Sequence, residues 1–366
     1  MTFPSISRTI LLALAGHLIW AQSAQHVMVY REKGRFGGWP ANHGIWSWGN
    51  EILVGFSAAW YLPRDAGRHQ MDPDKPEEPR LARSLDGGQT WTIETPKSLL
   101  PPAQGGKPAQ PLTKPMDFTK PGFVMTIRFA DIHTGPSLLF YSYDKGKNWE
   151  GPFTFPLFGQ KGVAARTDYI VKNAKECTVF LTASKQNGRE GRPFAARTKD
   201  GGVSWEFLSF IGPEPAGFSI MPSSLKLRNG AILTTVRVKQ DEDHNWIDGW
   251  LSKDEGKTWQ SLGKLGDTGG KSGTPPSLVR LKDGRICLTY ASRTKPYPIL
   301  ARISSDEGKT WGNPITLRAD AIAWDMGYLR SAVRPDGKVV SLYYYNDSSM
   351  PERFIAATIW QPPAKN

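Results

Sequence analysis

Apolar residues in this chain fall in short runs broken by glycine, proline, asparagine and aspartate. Apart from the N-terminal segment, no 18-residue apolar stretch and no heptad pattern interrupts this layout. Turn pairs precede apolar runs at regular places: Asn229-Gly230 before Ala231–Leu233, Asp283-Gly284 before Arg285–Cys287, and Asp336-Gly337 before Lys338–Val340. Asp-Gly and Asn-Gly pairs between apolar runs predict tight hairpins, because glycine takes the positive φ that such turns demand. Weaker counterparts are Gly49-Asn50 before Glu51–Leu53 and Pro121-Gly122 before Phe123–Met125; the third repeat has Lys172–Lys175 in that place. Six repeat starts follow, near Pro40, Asp117, Arg166, Met221, Pro275 and Tyr328.

A second motif runs through the same repeats. Ser84–Trp91, Ser142–Trp149, Thr198–Trp205, Ser252–Trp259 and Ser304–Trp311 share the pattern Ser/Thr-x-Asp-x-Gly-x-(Thr/Ser/Asn)-Trp. Their aspartates recur at intervals of roughly 50–60 residues, room for about four short strands per unit. Within each copy the carboxylate is suited to accept backbone N–H groups, and the glycine to a left-handed turn. The tryptophan is a large apolar anchor for that turn. The motif therefore reads as a structural device, on a rim away from any active centre.

Five copies and six repeat starts leave the last unit one strand short. An open array would expose a sheet edge. The alternating segment His26–Arg31 is positioned to supply the outer strand of the sixth unit and close the ring. The predicted fold is all-β, a six-bladed β-propeller over residues 25–366.

Composition changes the picture in two places. Residues 1–24 carry Arg8, a short apolar run Ile10–Trp20 and small residues around Ala21 and Ala24, which together predict a cleaved signal peptide and an exported, periplasmic or extracellular protein. The net charge of +12 suits acidic partners such as sialic acids, uronic acids or sulfated glycans. Nucleic acid is not favoured, because no basic run carries interleaved aromatics. The two cysteines sit in different repeats and are not expected to pair. No CxxC or HExxH motif is present, so no cofactor is expected. No apolar span is left in the mature chain, and its oligomeric state is open.

Repeated Asp boxes on a six-bladed propeller resemble the sialidase (neuraminidase) superfamily, also called BNR-repeat proteins. The resemblance covers nearly all of the mature chain. It implies an exo-glycoside hydrolase acting on terminal acidic sugars, with arginines that clamp the sugar carboxylate, a tyrosine nucleophile assisted by a glutamate, and an aspartate acid/base. A guanidinium suits a carboxylate because its fork binds both oxygens.

Tyr328, in Trp324–Arg330, matches the nucleophile's place, although a tyrosine at a propeller centre can simply pack. Arg35, Asn42, Arg166, Arg237 and Arg330 are candidate substrate ligands, with Arg128 and Arg293 at ends of comparable strands. Asp65 lies about where the acid/base belongs, with His69 and Asp72 competing in the same loop. Two positions depart from the family pattern: Gly38 stands where its first arginine is expected, and Met221 where its glutamate is expected. Trp39, Asn42, His43, Trp46 and Trp48 crowd the first repeat, and His43 is a candidate general acid or base near neutral pH. A uronate-active propeller glycosidase or lyase and a non-catalytic glycan-binding propeller are the alternatives.

Overall fold

The computed structural model describes residues 19–20 and 24–365. The targeting segment expected over 1–24 thus lies almost entirely outside the described residues. The remainder forms six antiparallel sheets arranged as a β-propeller. Blade I comprises Arg35–Gly38 with Ile45–Trp48, then Glu51–Trp60, Glu78–Ser84 and Thr92–Glu94. Blade II has Val124–Phe129, Ser137–Ser142 and Glu150–Thr154. Blade III has Val163–Ala164 with Tyr169–Val171, then Cys177–Ser184, Glu190–Thr198 and Glu206–Phe210. Blade IV runs from Phe218–Lys226 to Gln260–Asp267, and blade V from Ser277–Arg280 to Ile315–Arg318.

Blade VI is built from Gly327–Val333, Val339–Tyr345, Phe354–Trp360 and the N-terminal strand Gln25–Tyr30. That strand pairs antiparallel to the last one, Gln25 opposite Ile359 and Met28 opposite Ala356. The ring closes as the missing strand required. Apolar side chains fill the spaces between blades: Tyr30, Phe36, Phe56, Leu342, Tyr344 and Ile355 form one buried cluster where blades I and VI meet. Cys177 and Cys287 are buried and unpaired.

Hydroxyls join neighbouring blades near the axis. Leu278 N–H donates to Ser223 Oγ (2.9 Å), Ser331 N–H to Ser277 Oγ (3.0 Å), and Ile127 N–H to Thr167 Oγ1 (3.1 Å). Each bond satisfies a buried backbone donor that the inner strand leaves unpaired.

The Asp boxes share one carboxylate geometry, and only in the fourth does the indole, Trp259 Nε1, turn to Ser209 Oγ instead of the glycine carbonyl. In the first, Asp86 Oδ1 accepts from Thr90 N–H (2.9 Å) and Ser84 Oγ–H (2.8 Å), while Thr90 Oγ1 donates to Asp86 Oδ2 (2.6 Å). Trp91 Nε1 returns to the Gly88 carbonyl (2.9 Å). Burial would raise the Asp86 carboxyl, but these donors outweigh it and hold it at about 2. A carboxylate depressed in the folded state stabilises above its unfolded value, and that contribution is lost as pH falls through the folded value. Asp86→Ala is expected to destabilise by about 1 kcal/mol at neutral pH. Melting curves check this: the two proteins should converge as pH approaches 2, and an undiminished gap there would remove the carboxylate as the cause.

Candidate active site

The inner strands are irregular where side chains must reach the axis. Trp39, Met221 and Tyr328 all have left-handed backbones, with φ of 55°, 57° and 58°. The last two sit at register shifts between Ile220 and Ser223 and between Gly327 and Arg330. A left-handed non-glycine residue costs on the order of 1–2 kcal/mol. The bulge re-aims the side chain in return, and Tyr328 is left half-buried, facing the arginines at the strand ends of blades IV and V.

Arg237 lies near the end of Ile232–Lys239, the second strand of blade IV, and Arg293 follows Ile286–Ala291, the second strand of blade V. Arg237 Nη1 donates to Tyr328 Oη at 2.9 Å, and its Nε is held by the Ser272 carbonyl at 2.8 Å. The Arg293 guanidinium carbon lies 5.8 Å from the Tyr328 ring centre and 4.9 Å from that of Trp324. Both arginines are buried. Burial alone would raise the Tyr328 phenol, but Arg237, Arg293 and Arg166 outweigh it and hold it below the ordinary tyrosine value. Among the eleven tyrosines, Tyr328 is therefore expected to ionise early in an ultraviolet difference titration. Arg237→Met should move that step to higher pH; an unchanged step would assign it elsewhere.

Beside this group lies an Asp–His pair. His69 Nδ1 is 2.6 Å from Asp325 Oδ1. The Asp325 carboxylate also accepts from Tyr344 Oη–H (2.7 Å) and sits 3.3 Å from Arg353 Nε. Burial would raise this carboxyl, yet His69, Arg353 and Arg293 hold it at about 2. Arg293 Nη2 donates to Tyr344 Oη at 2.8 Å, so one chain of hydrogen bonds runs from Arg293 through Tyr344 and Asp325 to His69. The His69 ring is 33% exposed and meets Trp39 edge-on at 5.4 Å and Trp324 at 5.6 Å.

The other expected residues are spread more widely. Asp65 is exposed on the Tyr61–Glu77 loop, where its carbonyl accepts from Arg68 N–H. Arg35 is buried over the Trp60 ring (4.1 Å) and paired with Glu78 at 3.1 Å. Asn42 and Arg166 do come together: Arg166 Nε donates to Asn42 Oδ1 at 3.1 Å, while its Nη atoms bind Glu190. His43 is buried beneath, its Nε2 3.0 Å from Ser57 Oγ. Burial, then Arg128 and Arg330, keep it far below the usual imidazole value, hence neutral. Arg330 donates to the carbonyls of Ala41 (2.7 Å) and Thr167 (2.8 Å). It also lines a separate axial cavity of about 320 Å³ with Asp168, Ser223, Ser277 and Ser331. Met221 Sδ lies 3.7 Å from Arg237 Nη1, so a thioether occupies the level where a carboxylate was expected.

Reasoning from residues passed over Tyr344, which reads as an ordinary core aromatic in the run Tyr343–Tyr345. It left His69 undistinguished among its loop neighbours, and gave Asp325, which lies within Trp324–Arg330, no role of its own.

The fold and the five motif turns define a six-bladed Asp-box propeller with an arginine-rich centre. The BNR repeat-like domain matches residues 80–340, and the chain belongs to that family. A search among curated proteins returned no match. Among solved structures, a protein of unknown function from Dyadobacter fermentans is similar at TM-score 0.69 and 20% identity, covering 93% of this chain and 99% of that one. The Trypanosoma rangeli sialidase in complex with 2,3-difluorosialic acid (covalent intermediate) gives TM-score 0.62 at 15% identity over 93% of this chain and 59% of that one. The Hadza microbial sialidase Hz136 gives 0.60 at 15% over 87% and 65%. The chain thus spans about three-fifths of these sialidases, and the likeness is one of fold.

Proposed function

We propose that this protein is an exported glycoside hydrolase that removes terminal acidic sugars, of the sialic acid type, from glycans. The single observation that carries this is the Tyr328 phenol hydrogen-bonded to Arg237 with Arg293 alongside. Two buried guanidinium groups with few acidic neighbours favour a carboxylate ligand. A phenol kept below its ordinary pKa by the same cations is a competent nucleophile for an anionic sugar. Both roles fall on one spot, so the acid group of the sugar would sit on the arginines while its anomeric carbon faces Tyr328. Export rests on the N-terminal segment. Among the described residues no helix is long and apolar enough to cross a membrane.

A second possibility, a lyase or hydrolase of uronate linkages, is favoured by Met221. Among the described residues no carboxylate hydrogen-bonds to Tyr328, and a phenol backed by arginines also suits proton abstraction next to a neutralised carboxylate. The test is incubation of the mature protein with a fluorogenic sialoside and, in parallel, with uronic-acid polysaccharides. Release of free sialic acid supports the hydrolase. Products carrying a new ultraviolet-absorbing double bond would replace it with the lyase. Binding without turnover of either would leave a glycan-binding propeller.

A further inference from the structure

We propose that His69 is the proton donor and acceptor of this site, with Asp325 as the residue that positions it. The proposal rests on the acidic-sugar hydrolase described above and supplies the acid/base that Tyr328 and the arginines lack.

The geometry narrows the choice within the Tyr61–Glu77 loop. Asp65 is exposed and its carboxylate takes no hydrogen bond among the described residues. His69 instead reaches across to blade VI, where Asp325 Oδ1 binds its Nδ1 at 2.6 Å. Asp325 is 1% exposed and anionic, and a buried anion there fixes the tautomer: Nδ1 carries hydrogen and Nε2 is left to exchange a proton. Among the described residues Nε2 makes no hydrogen bond to protein, and the ring, 33% exposed, sits against Trp39 and Trp324. The loop is clamped in this pose. Trp324 Nε1 donates to the Ala66 carbonyl at 2.5 Å, and Gln70 N–H lies 3.4 Å from Asp325 Oδ2. Tyr344 links the pair to the nucleophile, bonding Asp325 while its ring lies 5.8 Å from that of Tyr328.

The chemistry balances. As the Tyr328 phenolate, favoured by its arginines, forms a bond from Oη to the anomeric carbon, the bond from that carbon to the leaving oxygen breaks, and the proton on His69 Nε2 passes to the leaving oxygen. Water then adds to the anomeric carbon, its proton returns to Nε2, and the tyrosyl oxygen leaves. Asp325 stays ionised and stabilises the positive charge whenever His69 holds the transferred proton.

The experiment compares wild type, His69→Ala and Asp325→Asn on two substrates with the same acidic sugar: an aryl glycoside, whose phenol leaves without much help, and a sugar-linked glycoside, whose alkoxide needs protonation. His69→Ala should lose ~10²–10⁴-fold on the sugar-linked substrate and far less on the aryl one, with partial rescue by imidazole. Asp325→Asn should show the same split in milder form. Equal losses on both substrates, or none, would overturn the assignment. If wild type cleaves neither substrate, the acidic-sugar hydrolase fails on its own account, and the pair is read by proton NMR. A far-downfield His69 Nδ1 proton that vanishes in Asp325→Asn upholds the pairing; its absence in wild type overturns it.

Discussion

Tyr328→Phe is expected to reduce release of an acidic sugar by at least about 10³-fold while leaving the melting temperature nearly unchanged. The phenol oxygen is the only atom removed. In the folded protein it accepts one hydrogen bond, from Arg237, whose Nε remains tied to the Ser272 carbonyl. The ring keeps its packing against Tyr344 and its position above Arg293. Structure and chemistry are therefore separable here, which is uncommon for a residue this close to a buried charge cluster. Intact-mass spectrometry of the wild type with a slow fluorinated substrate adds a second readout. A stable glycosyl adduct absent from the Phe variant fixes Tyr328 as the nucleophile. Turnover by the Phe variant within tenfold of wild type would take the tyrosine out of the reaction.

Arg237→Lys is expected to lower kcat/KM by about 10²-fold, equivalent to about 2.7 kcal/mol of transition-state stabilisation. Lysine preserves the charge but not the fork. It cannot hold Ser272 O and Tyr328 Oη together while presenting a donor to a carboxylate. Two effects should add: weaker substrate binding, seen in KM, and loss of the hydrogen bond that orients the phenol oxygen, seen in kcat. Stopped assays over a range of substrate concentrations separate them. A change confined to KM would mean that Arg237 binds the sugar but leaves Tyr328 unaffected.

What could be read from residues alone was what is local. An Asp box is eight residues whose hydrogen bonds close on themselves, as Ser84, Asp86 and Thr90 do, so its pattern survives in any context. The same holds for the hairpin at Asp283-Gly284, where Gly284 takes φ of 89°. Ring closure followed from counting strands. The site is different because its pairs are remote in sequence. His69 and Asp325 are 256 positions apart, Arg237 and Tyr328 are 91. Nothing in the Asp65–Asp72 stretch shows which side chain faces the axis; Gln70 decides it by tying the loop to the Arg64 carbonyl and to Asp325. Arg35 carries the right chemistry, but the cation–π contact with Trp60 and the ion pair with Glu78 occupy it. The left-handed backbones at Met221 and Tyr328 are equally silent in sequence, since neither residue favours that conformation.

The pairing of Gln25–Tyr30 with Phe354–Trp360 bears on how the molecule is made. His26 and Thr358 are hydrogen-bonded across 332 positions, so the early strand Gln25–Tyr30 finds its partner only when the last has appeared. Until then blade VI lacks its outer strand, and an unpaired apolar edge invites association between chains. Contacts this distant also make assembly slow. His69 from blade I meets Asp325 and Tyr344 of the final blade only in the closed ring. Recovery of native tertiary structure during refolding would consequently time this last step, and a chain lacking Gln25–Tyr30 or Phe354–Trp360 would lose the closure of blade VI.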